Sequence, residues 1–91
     1  MIEPFVRQAA LEKLLEREKE LSPEELHHSL HLGLTDPDFQ INEITWKYVS
    51  AKKLTTNYLE ELQGLVERLI HSSESYEISL AKEIRKNLNQ K

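Results

Sequence analysis

The stretch INEITWKYVSAKKLTTNYLEELQGLVERL, Ile41–Leu69, decides how the rest of the chain is read. Its positions Ile41, Ile44, Tyr48, Ala51, Thr55, Tyr58, Leu62, Leu65 and Leu69 alternate in steps of 3 and 4. That is a heptad seam, the spacing that returns one helix face to a neighbour about every 3.5 residues. Leu54, Leu59, Val66 and Ile70 thicken it. The pattern predicts one long helix, beginning at 37 or 42 and ending at 71. Ala51 is small, so a neighbouring backbone is expected to come close there, and a bend is expected at Gly64, opposite the seam. Trp46 and Val49 also face away from the seam. The start of the helix is therefore apolar nearly all round and needs cover on two sides.

Thirty helical residues span about 45 Å. A compact chain of 91 residues has a diameter of only about 31 Å. A helix that overshoots its own globule calls for another surface. The expectation is a protein partner or a homodimer along the long helix, with Trp46, Val49, Tyr58, Leu62, Leu65 and Leu69 as the interaction residues.

Outward from this helix, the other segments also read as helical. From Pro4 to Glu20, Val6, Ala10 and Leu14 form a stripe that Leu11 and Leu15 widen. Proline suits the first turn, where its missing N–H has no partner to lose. Next, SPEE (Ser22–Glu25) combines an N-cap serine, proline at the first helical position and glutamate three residues on, a capping box. That helix is expected over 23–32, closed by Gly33 in a left-handed conformation with Leu34 packed behind it. Asp36 is expected to cap the next helix, with Pro37 in the first turn and Phe39, Ile41 and Ile44 entering the core. Beyond HSSES the heptad register fails and a new stripe, Leu80, Ala81, Ile84 and Leu88, appears. This predicts a break at 72–75, then a helix over 75–89 capped by Ser73 or Ser75, with the tail to Lys91 fraying. The fold class is all-α: a single helical domain, 1–91, a small bundle of three to four helices on one long central heptad-patterned helix with antiparallel neighbours.

Charge and composition bound the function. The chain has a net charge of −4, no cysteine and two glycines. Residues 1–45 hold ten acids against four bases, whereas residues 46–91 hold eight bases against six acids. An acidic front half repels phosphate, on which nucleic-acid affinity depends. LHHSLHLGLT (Leu26–Thr35) has a helix-turn-helix rhythm, but the adjoining DPDFQINE carries three acids and no base. As a calcium loop the same stretch fails, because Ile41 stands where the turn glycine belongs and Lys47 where the bidentate glutamate belongs. His27 and His31 have the i, i+4 spacing of two ligands to one metal, with Glu24 beside them. They lack a third inward-facing ligand, and a histidine-rich polar flank is the simpler account. No metal or other cofactor is expected.

No phosphate loop and no catalytic constellation is visible, so no catalytic residue and no enzyme is expected. No apolar run reaches the ~20 residues of a membrane span, and MIEPFVRQ has glutamate where a secretory leader would be basic. A cytoplasmic protein with no membrane partner is expected. The expected function is a non-enzymatic protein–protein interaction module: an acidic helical adaptor, inhibitor, immunity-type protein or dedicated chaperone. The alternative is a small regulator that binds metal through the His27/His31 helix, or DNA through a degenerate helix-turn-helix.

Overall fold

The computed structural model describes residues 3–89; of the tail 87–91 expected to fray, Leu88 still belongs to a helix and the last two residues lie outside the described ones. Among the described residues the chain is all helical: α1 (Pro4–Glu16), a 3-10 turn (Glu18–Glu20), α2 (Pro23–Thr35), α3 (Phe39–Ala51), a 3-10 turn (Thr55–Tyr58), α4 (Leu59–Ile70) and α5 (Ser75–Leu88). Two compact units divide it, Met1–Tyr48 and Val49–Lys91.

In the first unit, α1 starts at Pro4 and ends four residues earlier than expected, at Glu16, after which the chain tightens into the 3-10 turn. Tyr48 of α3 donates its hydroxyl proton to Glu18 in that turn. The capping box at α2 forms as read: the Glu25 N–H donates to Ser22 Oγ (3.1 Å) and the Ser22 N–H to Glu25 Oε1 (2.9 Å). Those bonds from Ser22, the backbone one first, hold the Glu25 carboxyl below its usual range.

Gly33 does not end α2. The helix runs on to Thr35, and no glycine among the described residues has a positive φ. Gly33 is there for space. A Cβ built on it meets Thr45 Oγ1 at 2.1 Å, Thr45 Cγ2 at 2.9 Å and Thr45 Cβ at 3.0 Å. The close approach expected at Ala51, which is exposed, therefore lies at the α2–α3 crossing instead. The last carbonyls of α2 lack partners within the helix. Asn42, fully buried on α3, supplies them: its Nδ2 donates to Gly33 O at 2.8 Å and to Asp36 O at 2.9 Å. Thr45, also fully buried, donates to Ile41 O at 2.7 Å. Asp38, not Asp36, caps α3, accepting the Ile41 N–H at 3.1 Å. Ile41 is buried, while Phe39 and Ile44 are half-buried.

The long helix is broken. After Ala51 the Lys53 N–H donates to Ser50 O (3.1 Å), the Leu54 N–H donates to Val49 O (2.9 Å), and Lys53 has φ 58°. This pair of bonds around a left-handed residue is a Schellman stop. Beyond it come Thr55, Thr56 and Asn57, all poor helix formers, and the chain turns through a 3-10 segment before α4. The heptad steps continue across the break, but the helix does not. Glycine is the residue that adopts positive φ without strain, whereas lysine loses about 1 kcal/mol or more there. Lys53→Gly is therefore expected to raise stability by about 1 kcal/mol, read as a higher denaturant midpoint with unchanged slope. An unchanged or lower midpoint would contradict this account of the stop.

In the second unit α4 and α5 pack together as a helical hairpin across the 71–74 connection. The expected break at 72–75 is present. Neither Ser73 nor Ser75 caps α5: its N-cap is Glu74, without a side-chain bond, and Ser72 Oγ instead accepts the Glu74 N–H at 3.0 Å. Leu62, Leu65, Val66 and Leu69 of α4 are buried, as are Leu80, Ala81 and Ile84 of α5. Burial pushes the Tyr58 phenol up, with Glu61 adding to it.

Candidate functional site

The residues expected to form an interaction face do not present one. Trp46, Val49, Tyr58, Leu62, Leu65 and Leu69 are all buried within the chain, none more than 4% exposed. With the long helix divided, each half turns its apolar side inward, so this surface is consumed by the fold.

In the first unit, apolar surface is left open along α1. No residue of α1 is buried. Leu11, Leu14 and Leu15 are half-buried, and Val6 and Ala10 are exposed. Apolar residues are spread around this helix, and Val6, Ala10 and Leu11 lie on its side toward α2. These three form one wall of a cleft of about 290 Å³, lined also by Leu32 and Gly33 of α2 and by Ile41 of α3. Val6 is 45% exposed and Leu32 52%, and Phe5, at 69%, is the most exposed large apolar side chain of the described residues. A second hollow of about 420 Å³ continues along α1 from Ala10 past Leu14 and Arg17 to Leu21.

One end of the cleft is pinned by an ion pair. Arg7 Nε donates to Asp36 Oδ2 at 3.1 Å and Arg7 Nη2 to Asp36 Oδ1 at 3.0 Å, a two-pronged contact between residues 29 apart. This bond to Asp36 raises the guanidinium's already high pKa. Asp36 Oδ1 also accepts the Asp38 N–H at 2.9 Å. The pair thus ties α1 to the α2–α3 turn and fixes the width of the cleft mouth.

The sequence's other candidates lie on the surface. Glu24, His27, His28 and His31 are all exposed on α2, and His71, at the end of α4, is exposed too. Among the described residues no three His, Cys, Asp or Glu side chains gather closely enough to hold a metal ion. The turn between α2 and α3 comes after Thr35 and not at Gly33, with Asp36 and Asp38 at the entrance to α3 engaged by Arg7 and by the cap. No helix among the described residues is long and apolar enough to cross a membrane. In the second unit a hollow of about 680 Å³ lies beside Gly64 and Arg85, with Gln63, Glu67 and Asn89 making its lining mixed in character.

Sequence reasoning missed Leu32, Arg7 and Asp36 as surface features, and Asn42 and Thr45 as interior ones. A signal for the last two existed: Asn42, Thr45, Trp46 and Val49 share one side of α3 at helical spacing. Comparisons with protein-family models, with curated proteins and with solved structures find no match to this chain.

Proposed function

We propose that the protein is a non-enzymatic protein–protein interaction module that works through the α1–α2 cleft. The observation that carries this is α1 itself, a helix that buries none of its residues and leaves Val6 and Ala10 exposed beside an exposed Leu32. Exposed contiguous apolar surface rimmed by polar groups is the mark of a binding site. A groove of this shape accepts the apolar face of a helix. The non-enzymatic half of the reading is supported by the buried polar side chains. Asn42 and Thr45 are the two among the described residues, and both engage backbone carbonyls of their own fold. The acidic front half supports a protein partner over nucleic acid. The absence of cysteine fits a reducing cytoplasm.

The test is a double variant, Val6→Asp with Leu32→Asp, beside Glu67→Lys as an exposed control on α4. All three proteins are expected to show the same helicity. Binding partners retained by the immobilised wild-type chain should bind the double variant about thirtyfold more weakly, the loss expected for central apolar anchors. Glu67→Lys should leave them unchanged. Equal retention by wild type and double variant would remove the cleft from the account.

A further inference from the structure

α1 is complementary to itself when turned end over end. Pro4–Glu16 has Ala10 at its midpoint, flanked by Glu3 at the N-cap and Arg17 at the C-cap. At 3.6 residues per turn, Val6 and Leu14 lie about 40° to either side of Ala10, and Glu3 and Arg17 about 20°. These five residues share one face. Glu3, Val6, Ala10 and Arg17 are exposed and Leu14 is half-buried.

A two-fold axis through Ala10 sets each residue against the one equally far on the other side. Val6 then meets Leu14 of the second copy, Glu3 meets its Arg17, and Ala10 meets Ala10, where two small side chains let the helices come close. The antiparallel arrangement also opposes the two helix dipoles. Other arrangements fit worse. Moving the axis by one residue sets Val6 against Glu12 or Glu16, and a parallel pair sets Glu3 against Glu3 and Arg17 against Arg17. The salt bridge between Arg17 and Glu20 of the same chain (3.0 Å) is solvent-exposed, and such pairs contribute little, so Arg17 can be shared with the second copy.

We infer that two copies of this protein pair through α1, antiparallel, about a two-fold axis at Ala10. This rests on the interaction reading above and names the occupant of that surface as a second copy. A helix of this length, about 20 Å, makes an interface at the low end of specific ones. The expected dimer therefore dissociates on dilution, with Kd between about 1 µM and 1 mM.

The chain has no cysteine of its own, which makes a thiol test clean. A disulfide forms only where two Cα atoms lie within about 7 Å, and in a two-fold helix pair that place is the axis. Under mild oxidation Ala10→Cys is expected to form a covalent dimer at least about tenfold faster than Glu12→Cys, whose side chain lies on the far side of α1, with native helicity kept. Equal rates, or no dimer from Ala10→Cys, overturn the inference. Sedimentation across a dilution series tests the charges. Glu3→Lys should weaken pairing about tenfold, through two symmetric contacts made repulsive, and the swap Glu3→Lys with Arg17→Glu should restore it. A swap that stays weak overturns this register. A wild-type chain that stays monomeric at about 1 mM overturns the pairing, yet leaves the cleft reading intact if the Val6, Leu32 double variant still loses another protein. Loss of the pairing together with equal retention by that variant rejects both.

Discussion

Asn42→Leu is expected to lower the unfolding free energy by about 3 kcal/mol, with the fold otherwise retained. Leucine keeps the branching of asparagine and is bulkier, so none of this comes from a cavity. It comes from the carbonyls of Gly33 and Asp36, which lose the amide that now donates to them at 2.8 and 2.9 Å. A buried acceptor left without a donor loses about 1–3 kcal/mol. Gly33 O is fully enclosed, whereas the Asp36 bond is only part-buried and can recover some hydration. Asn42→Asp separates the hydrogen bond from the shape. A carboxylate there points lone pairs at lone pairs in a buried position, so its folded-state pKa lies above the unfolded value of about 3.9. The folded state then binds more protons than the unfolded one, and stability falls as pH rises through that interval. The deficit of Asn42→Asp is therefore largest at neutral pH and shrinks on acidification, as the protonated acid regains one donor. The deficit of Asn42→Leu stays level with pH. Denaturant titrations of both variants at several pH values check this. A pH-independent Asn42→Asp, or an Asn42→Leu within about 0.5 kcal/mol of wild type, the range of ordinary surface changes, would mean that Asn42 does not cap α2.

Gly33→Ala is the second large effect, and its sign runs against helix propensity. In an open helix this change gains about 1 kcal/mol. At Gly33 the added methyl lands 2.1 Å from Thr45 Oγ1. Rotating Thr45 away gives up its bond to Ile41 O and still leaves Thr45 Cβ at 3.0 Å. The α2–α3 crossing must open, and overpacking of this kind destabilises by about 3 kcal/mol at its usual upper end. The net loss is about 2 kcal/mol, a fall of about 10 °C in Tm for a chain of this size. Adding Thr45→Ala removes the two worst contacts and should recover part of the loss, so that the double variant is more stable than the sum of the singles. Gly64→Ala makes the contrast: nothing lies within 4 Å of its built Cβ, so the propensity gain of about 1 kcal/mol should appear undiminished. If both glycine variants stabilise alike, the crossing at Gly33 is not close.

Features that depend on neighbours within a few residues can be read along the chain. The capping box was legible at Ser22 and Glu25 because both of its bonds close within three residues. So were the all-α class and the stripe that α5 buries at Leu80, Ala81 and Ile84, since helical periodicity is a local signal. The remaining features depend on contacts between distant residues. The break at Lys53 was hidden because the 3-4 spacing persists through Thr55 and Tyr58, and no glycine or proline marks the stop. Periodicity reports which residues are apolar, not whether the hydrogen-bond ladder between them is continuous. Gly33 carried the composition of a helix end, yet it is a crossing point, because the reason for its missing side chain is Thr45, twelve residues on. For the candidate site, the stripe of α1 could be read directly, but not that it stays uncovered. That depends on where Leu32 comes to lie and on an ion pair between Arg7 and Asp36. Pairings at such separation form only once the chain has closed the loop between them, and no local pattern encodes that closure.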